Sequence, residues 1–340
     1  MERKFQPDAK WSCRSCGDCC RGFSFGPVEP HIVENLKKEK IEDHWPPAKE
    51  GWYSQNPQTD GYFFQHRDGH CVFLQENNLC AIHAHFGSEA KPWFCREYPF
   101  HVVEDAQGVS ITVREDCGGF HKSFEDGESI VEQLDSILKI QRVVPLQRFD
   151  PERLLILPGL AVSAMNWLQV EPVLMERIKG NPRESVSSIR SALFQMAGRQ
   201  GPPSSDKDYR ACYEACTERL QMQLQHLDIS PLMKEMQVKV QRLLQKPVRG
   251  ADPTIQGEAY FCNILKNRLL SKSFARLGGL PMGLGFFLFE RELMYSLVEE
   301  GTADKIGPVM SSWRRAIMIR PIWKTIRRLE PIFLDLFMYA

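Results

Sequence analysis

Eight of the eleven cysteines in this 340-residue chain lie between residues 13 and 117, and four of them share one eight-residue run. The run is Cys13-Arg14-Ser15-Cys16-Gly17-Asp18-Cys19-Cys20, and Cys71, Cys80, Cys95 and Cys117 follow at long intervals. Thiolate is the soft donor that selects zinc and iron–sulfur clusters, and a tetrahedral site takes four such donors. Eight thiols therefore match two four-thiolate sites, or one site with thiols to spare. Metal ligation is the expected organising principle of the first third of the chain.

The competing uses of so many thiols are a disulfide framework and reduced structural cysteines. Disulfide frameworks belong to oxidising compartments, short chains and even cysteine counts. Here the chain is long, the count is odd, and the opening Met1-Glu2-Arg3-Lys4-Phe5-Gln6-Pro7 lacks the apolar stretch of a secretory signal. A cytoplasmic protein is expected. No segment reaches the roughly 20 apolar residues of a membrane span, and Gly285-Phe286-Phe287-Leu288-Phe289 is soon cut by charge, so no span is expected. Lysine plus arginine equals aspartate plus glutamate at 43 each, so net charge points to no nucleic acid and no acidic substrate.

The texture of the sequence changes near residue 125. Before it, Tyr62-Phe63-Phe64, His70-Cys71-Val72-Phe73-Leu74 and Leu79-Cys80-Ala81-Ile82-His83 are short β-prone runs separated by Asp68-Gly69 and Asn77-Asn78. They read as an antiparallel meander with Cys71 and Cys80 on strands. A second hairpin is expected from His101-Val102-Val103 to Val109-Ser110-Ile111-Thr112-Val113. After it the apolar period becomes 3.6, as in Ile130, Val131, Leu134, Ile137, Leu138 and Val143. Asp150-Pro151-Glu152 is expected to open a helix, and further helices are expected at about 184–198, 207–226, 230–245, 254–276, 283–300, 302–318 and 322–338. Ser230 and Asp252 are the expected caps, before Pro231 and Pro253. Gly198-Arg199-Gln200-Gly201-Pro202-Pro203-Ser204-Ser205 reads as a loop between helical blocks. The expected fold class is mainly α. A small β-containing, cysteine-rich metal-binding domain occupies residues 1–125, and a multi-helix C-terminal domain occupies residues 126–340.

Within the run, Cys13, Cys16 and Cys19 form a C-x2-C-x2-C pattern that lets a short loop wrap one metal centre. Adjacent side chains diverge in extended backbone, so Cys19 and Cys20 are expected to serve different centres, with Cys71, Cys80, Cys95 and Cys117 shared between them. His70, His83, His85, His101 and His121 are available as substitutes for thiolate, His70 and His83 being nearest to cysteines in sequence. Arg14, Arg21 and Arg96 lie beside cysteines, either to offset thiolate charge or simply to face solvent. Cys212 and Cys216, on a helix face with Tyr209, Tyr213 and Leu220, and Cys262 beside Phe261, read as core.

The segments Cys13-x2-Cys16-Gly17-x-Cys19-Cys20-Arg21-Gly22, Gly69-His70-Cys71-Val72-Phe73-Leu74, Leu79-Cys80-Ala81-Ile82-His83 and Pro92-x-x-Cys95-Arg96-Glu97-Tyr98-Pro99-Phe100 resemble the YkgJ-type cysteine-cluster family of zinc- or iron-chelating domains. The resemblance covers residues 13 to about 120 and implies metal binding by Cys13, Cys16, Cys19, Cys20, Cys71, Cys80, Cys95 and Cys117. That family includes flagellin lysine N-methylase, and Glu258 to Arg268 with the apolar helix after it resembles the helical part of that member. The resemblance thus implies one enzymatic reading: protein-lysine N-methylation of a flagellin-like protein substrate, using S-adenosylmethionine and an iron–sulfur cluster. The alternative is a non-enzymatic zinc- or iron-chelating or electron-transfer module, for which Trp313-Arg314-Arg315 to Arg328 offers a basic face or merely a solvated helix surface. Gly278-Gly279-Leu280-Pro281-Met282-Gly283-Leu284-Gly285 follows a helix rather than a strand, so it reads as an interhelical turn and not as a nucleotide cradle.

Overall fold

The computed structural model describes residues 2–6, 8–21, 27–56, 61–140, 142, 145–202, 208–227, 231–245, 251–318 and 320–339. Met1, Pro7, Gly22, Val143, Pro203, Ser204, Ser205, the 207 start of an expected helix and the expected cap Ser230 lie outside those residues. The chain forms two compact units, neither continuous in sequence. One joins Pro7–His101 to Cys117–Leu146; the other joins Met1–Gln6 and Val102–Asp116 to Gln147–Ala340.

The first unit carries all eight clustered cysteines. Its core gathers Ile32, Val33 and Leu36 of the helix Pro30–Lys38 with Trp52, Phe64, Val72, Phe73 and Ile82, and Cys71 and Cys80 pack against that core. Aromatic edges lock it: Phe64 and Phe73 meet T-shaped at 4.9 Å between ring centroids. Tyr53–Gln55 pairs antiparallel with Tyr62–Phe64, and His66–Arg67 pairs with His70–Cys71 through an Asp68-Gly69 turn in which both residues have positive φ. The expected third strand is absent. Ala81–Phe86 is a helix, and Cys80 is its N-cap residue, joined to Leu74 by a single β-bridge. An apolar run as short as Leu79-Cys80-Ala81-Ile82-His83 suits either state, and here Ala81 N–H donating to Phe73 O starts a turn where a strand would have continued.

The second unit is mostly helical, with a four-stranded sheet in the order Glu2–Lys4, Gly108–Val113, Phe100–Glu104, Gln147–Arg148 and a separate two-stranded one. The expected hairpin is therefore present, and Glu2–Lys4 adds to it in parallel. Asp150-Pro151-Glu152 opens no helix. Leu154–Leu157 and Leu160–Val162 form a β-hairpin first, and the helix Ala164–Met175 starts later, capped by Ser163, whose hydroxyl accepts from Asn166 N–H. Nor does Asp252 cap a helix: Thr254 takes that place for Ile255–Leu270, accepting from Gly257 N–H. The expected helix 322–338 is two helices, Arg320–Arg328 and Glu330–Tyr339. Pro331 in the first turn of the latter cannot continue a helix from behind.

The central helix, Leu280–Leu297, is buried over most of its length. Gly278 and Gly279, at φ 87° and 135°, make the turn before it. Gly283 and Gly285 lie inside the helix, where any Cβ would strike Phe274 and the Phe333 carbonyl. The unit also buries charge. Arg268 spans Glu115 and Glu290, each at 2.6 Å, and Trp313 donates to Glu290 at 2.7 Å. Lys272 is paired with Asp105 at 3.3 Å and Glu171 at 3.1 Å. Cys212, Cys216 and Cys262 are buried here. Arg314 and Arg315 of the basic segment are engaged with Glu290 and the Asp116 carbonyl, while Lys324, Arg327 and Arg328 face solvent. Among the described residues no helix is long and apolar enough to cross a membrane.

Candidate metal centre

The cysteine run is a loop fixed at both ends. Ser12 exchanges hydrogen bonds with Ser123: its N–H donates to Ser123 Oγ at 3.1 Å, and that hydroxyl donates to Ser12 O at 2.9 Å. Trp11 N–H donates to Glu128 O at 2.8 Å. These bonds lay the run against the helix Phe120–Asp126, whose preceding turn carries Cys117. Gly118 is the point of contact, since a Cβ there would collide with the Asp18 carboxylate and sit 3.1 Å from Cys16 Sγ.

At the other end Gly17 adopts φ 71° and leads into a short 3-10 turn, Asp18–Cys20. Arg21 folds back over it, donating to Cys16 O at 2.8 Å and to Asn78 Oδ1 at 2.6 Å. The guanidinium passes where a Gly17 side chain would be. The run is thereby tied to the 75–80 loop that ends in Cys80.

The thiols fall into two groups. Cys16 feels the charges of Cys13, Cys19 and Asp18. Burial raises its pKa, and the Asp18 carboxylate adds to that, while a bond to the Asp18 backbone opposes it. Cys117, whose side chain is buried, directly precedes Gly118, the residue packed against Cys16 and Asp18. The inner group is Cys19, Cys20, Cys71, Cys80 and Cys95. Cys19 and Cys20 Sγ are 3.9 Å apart. The contact between them pushes Cys20 up and pulls Cys19 down, to about 7. Burial pushes Cys71 up to about 12, with Cys80 and Cys19 contributing. Burial also raises Cys95, against the attraction of Lys91. All eleven cysteines are free thiols.

Two residues of the site carried no role in the sequence reading. Asp18 stands inside the run itself, against Gly118. Lys91 precedes Cys95 by four residues and lies in the field of Cys95, Cys80, Cys19 and Cys20; burial would lower its pKa, and these thiols outweigh that. The arginines are engaged otherwise, Arg14 with Asp126 and Arg96 with Glu89. Among the histidines, His83 and His85 are exposed, His70 and His101 are half-buried, and His121 is buried. His70 places Nδ1 3.0 Å from Cys71 O.

The donor set fits a soft metal, being thiol-rich, partly buried and supplied with one cation. It is gathered but not closed: among the described residues no three Cys, His, Asp or Glu side chains form a finished cage. Burial raises the pKa of Cys16, Cys71 and Cys95, so a metal taken up there would have to displace protons from these thiols.

Residues 12–118, about a third of the chain, match the model of the CxxCxxCC family, described as a "putative zinc- or iron-chelating domain". Cys13 and Cys117, the outermost of the eight cysteines, both fall within these bounds. No curated protein and no solved structure gives a significant match.

Proposed function

We propose that residues 12–118, a cysteine-cluster domain of the CxxCxxCC family, chelate zinc or iron through the thiolates of Cys13, Cys16, Cys19, Cys20, Cys71, Cys80, Cys95 and Cys117. One observation carries this reading. Cys19, Cys20, Cys71, Cys80 and Cys95, from four separate chain segments, lie in one another's electrostatic field together with an ammonium. Thiols serving only as apolar packing would gain nothing from a cation among them. Cys13, Cys16 and Cys117 make the second, outer set, and Cys19 stands between the two. Bound zinc would cross-link these segments, and a bound iron–sulfur cluster would add the capacity to carry an electron. The chain's own part is to present thiolates from a loop held by Ser12, Ser123, Gly17 and Arg21.

Methyl transfer has no comparable support. The glycine-rich segment 278–285 is a turn and the start of a packed helix, which favours its reading as an interhelical connection. The test of chelation is elemental analysis of the full chain purified without oxygen. About one or two zinc ions, or iron with acid-labile sulfide, are expected per chain. A folded, stable protein with eight titratable free thiols in that segment and no bound metal would overturn it.

A further inference from the structure

Lys91 sits in the connection between the 3-10 turn Ser88–Ala90 and the helix Trp93–Glu97. Its backbone N–H is engaged with Ser88 O at 3.1 Å, which leaves the ammonium as its free functional group. The side chain is half-buried, yet among the described residues no carboxylate stands within ion-pair distance of it. Glu89 pairs with Arg96 at 2.6 Å. Glu29 accepts from Trp93 N–H at 2.9 Å through Oε1, and its buried Oε2 has no hydrogen-bond partner and makes no ion pair with Lys91. The ammonium lies in the electrostatic field of Cys95, four residues on, and of Cys80, Cys19 and Cys20. The helix that Cys80 caps packs against the turn Ser88–Ala90 just before Lys91.

Withdrawing a cation from water without a counter-charge is unfavourable, so such a placement calls for negative charge to arrive at the site. Metal loading supplies it. Four thiolates around a divalent ion leave a net charge of about −2, inside a pocket where that excess is itself costly. We propose that Lys91 is the charge-balancing residue of the inner thiol group, positioned to offset the thiolate charge of Cys19, Cys20, Cys80 and Cys95 when metal binds and thereby to set how tightly they hold it. This rests on the chelation reading above and assigns Lys91 a positioning role, not a ligand role.

The test is zinc chloride titrated into the full-length reduced chain without oxygen, in competition with a chelating fluorophore. Wild type is compared with Lys91→Met, Lys91→Gln and Lys91→Arg. Removing the charge should weaken zinc binding by about ten- to a hundredfold, the usual effect of losing a group that supports metal ligands. Lys91→Arg should stay within about threefold of wild type, because it restores the charge in a different shape. Both neutral variants binding as wild type would overturn the proposal, as would Lys91→Arg losing as much as they do. Should Lys91→Met fail to fold, Lys91→Gln and Lys91→Arg decide the matter alone. Wild type that takes up no zinc or iron is a different failure: it removes the chelation reading itself, before any variant is compared.

Discussion

Replacing Gly17 with alanine should unsettle the cysteine unit more than the same change at Gly69. Both glycines have left-handed backbone, at φ 71° and 77°. Alanine in that region costs about 1–2 kcal/mol of strain at either site. Their surroundings differ. Around Gly69 an added Cβ meets nothing within 4 Å, whereas at Gly17 it strikes the Arg21 guanidinium and lies 3.0 Å from Asn78 Oδ1. Gly17→Ala must therefore also expel Arg21 from its bonds to Cys16 O and Asn78. Both bonds lie at the surface, where solvent screens them, so together they are worth about 1–2 kcal/mol rather than the full value for charged donors. The totals are about 2–4 kcal/mol for Gly17→Ala and about 1–2 for Gly69→Ala. Urea unfolding of the chain as purified, followed by tryptophan emission, reads the difference. Equal losses in the two variants would mean that Arg21 clamps nothing.

Cys95→Ser should strip metal and loosen the cysteine unit, whereas Cys262→Ala should leave metal content unchanged and cost about 1 kcal/mol, as measured by elemental analysis and urea unfolding. Metal loss in Cys262→Ala would contradict the separation of the two cysteine classes. Arg268→Met leaves Glu115 and Glu290 buried with Arg314 alone, at 3.5 and 3.2 Å, to offset them. It should cost the helical unit about 3 kcal/mol, the low end for a broken buried pair, in calorimetry or urea unfolding. Glu115 gives a pH dependence. Burial alone would raise its pKa, but Arg268 and Arg314 hold it below its ordinary 4.5. A carboxylate depressed on folding stabilises the fold in full above that value, and the contribution disappears as pH falls through the lower folded one. The urea midpoint should therefore drop on acidification below 4.5, less steeply in Glu115→Gln, and an identical drop in the variant would refute the assignment.

What the sequence revealed was what depends on composition and near neighbours. Cysteine spacing alone pointed to a chelating segment, and residues 12–118 match a family of that kind. Most helices followed from apolar periodicity and caps. The failures share a cause: each was settled by contacts distant in sequence or by a choice between two local signals. The run from Leu79 to His83 is apolar enough for strand or helix, and packing on Phe73 decides it. Asp150-Pro151 carries a sound helix-opening signal, yet the hairpin Leu154–Val162 intervenes and Ser163 caps instead. The break between Arg328 and Glu330 was legible in Pro331. No local pattern could show that Glu2–Lys4 pairs in parallel with Gly108–Val113 across more than a hundred residues. Lys91 carries no signal of its own in sequence, because a lysine before a proline reads as surface; only the fold brings it into the field of Cys19, Cys80 and Cys95.

X-ray absorption at the metal edge of the full chain, purified without oxygen, tests chelation by these cysteines most directly. The edge identifies the element, and the first coordination shell identifies its donors. A shell of sulfur alone, at about 2.3 Å if the metal is zinc, is predicted, with its amplitude falling when Cys16 or Cys95 becomes serine. A shell of nitrogen and oxygen, or a sulfur shell indifferent to both substitutions, would contradict ligation by the cysteine cluster.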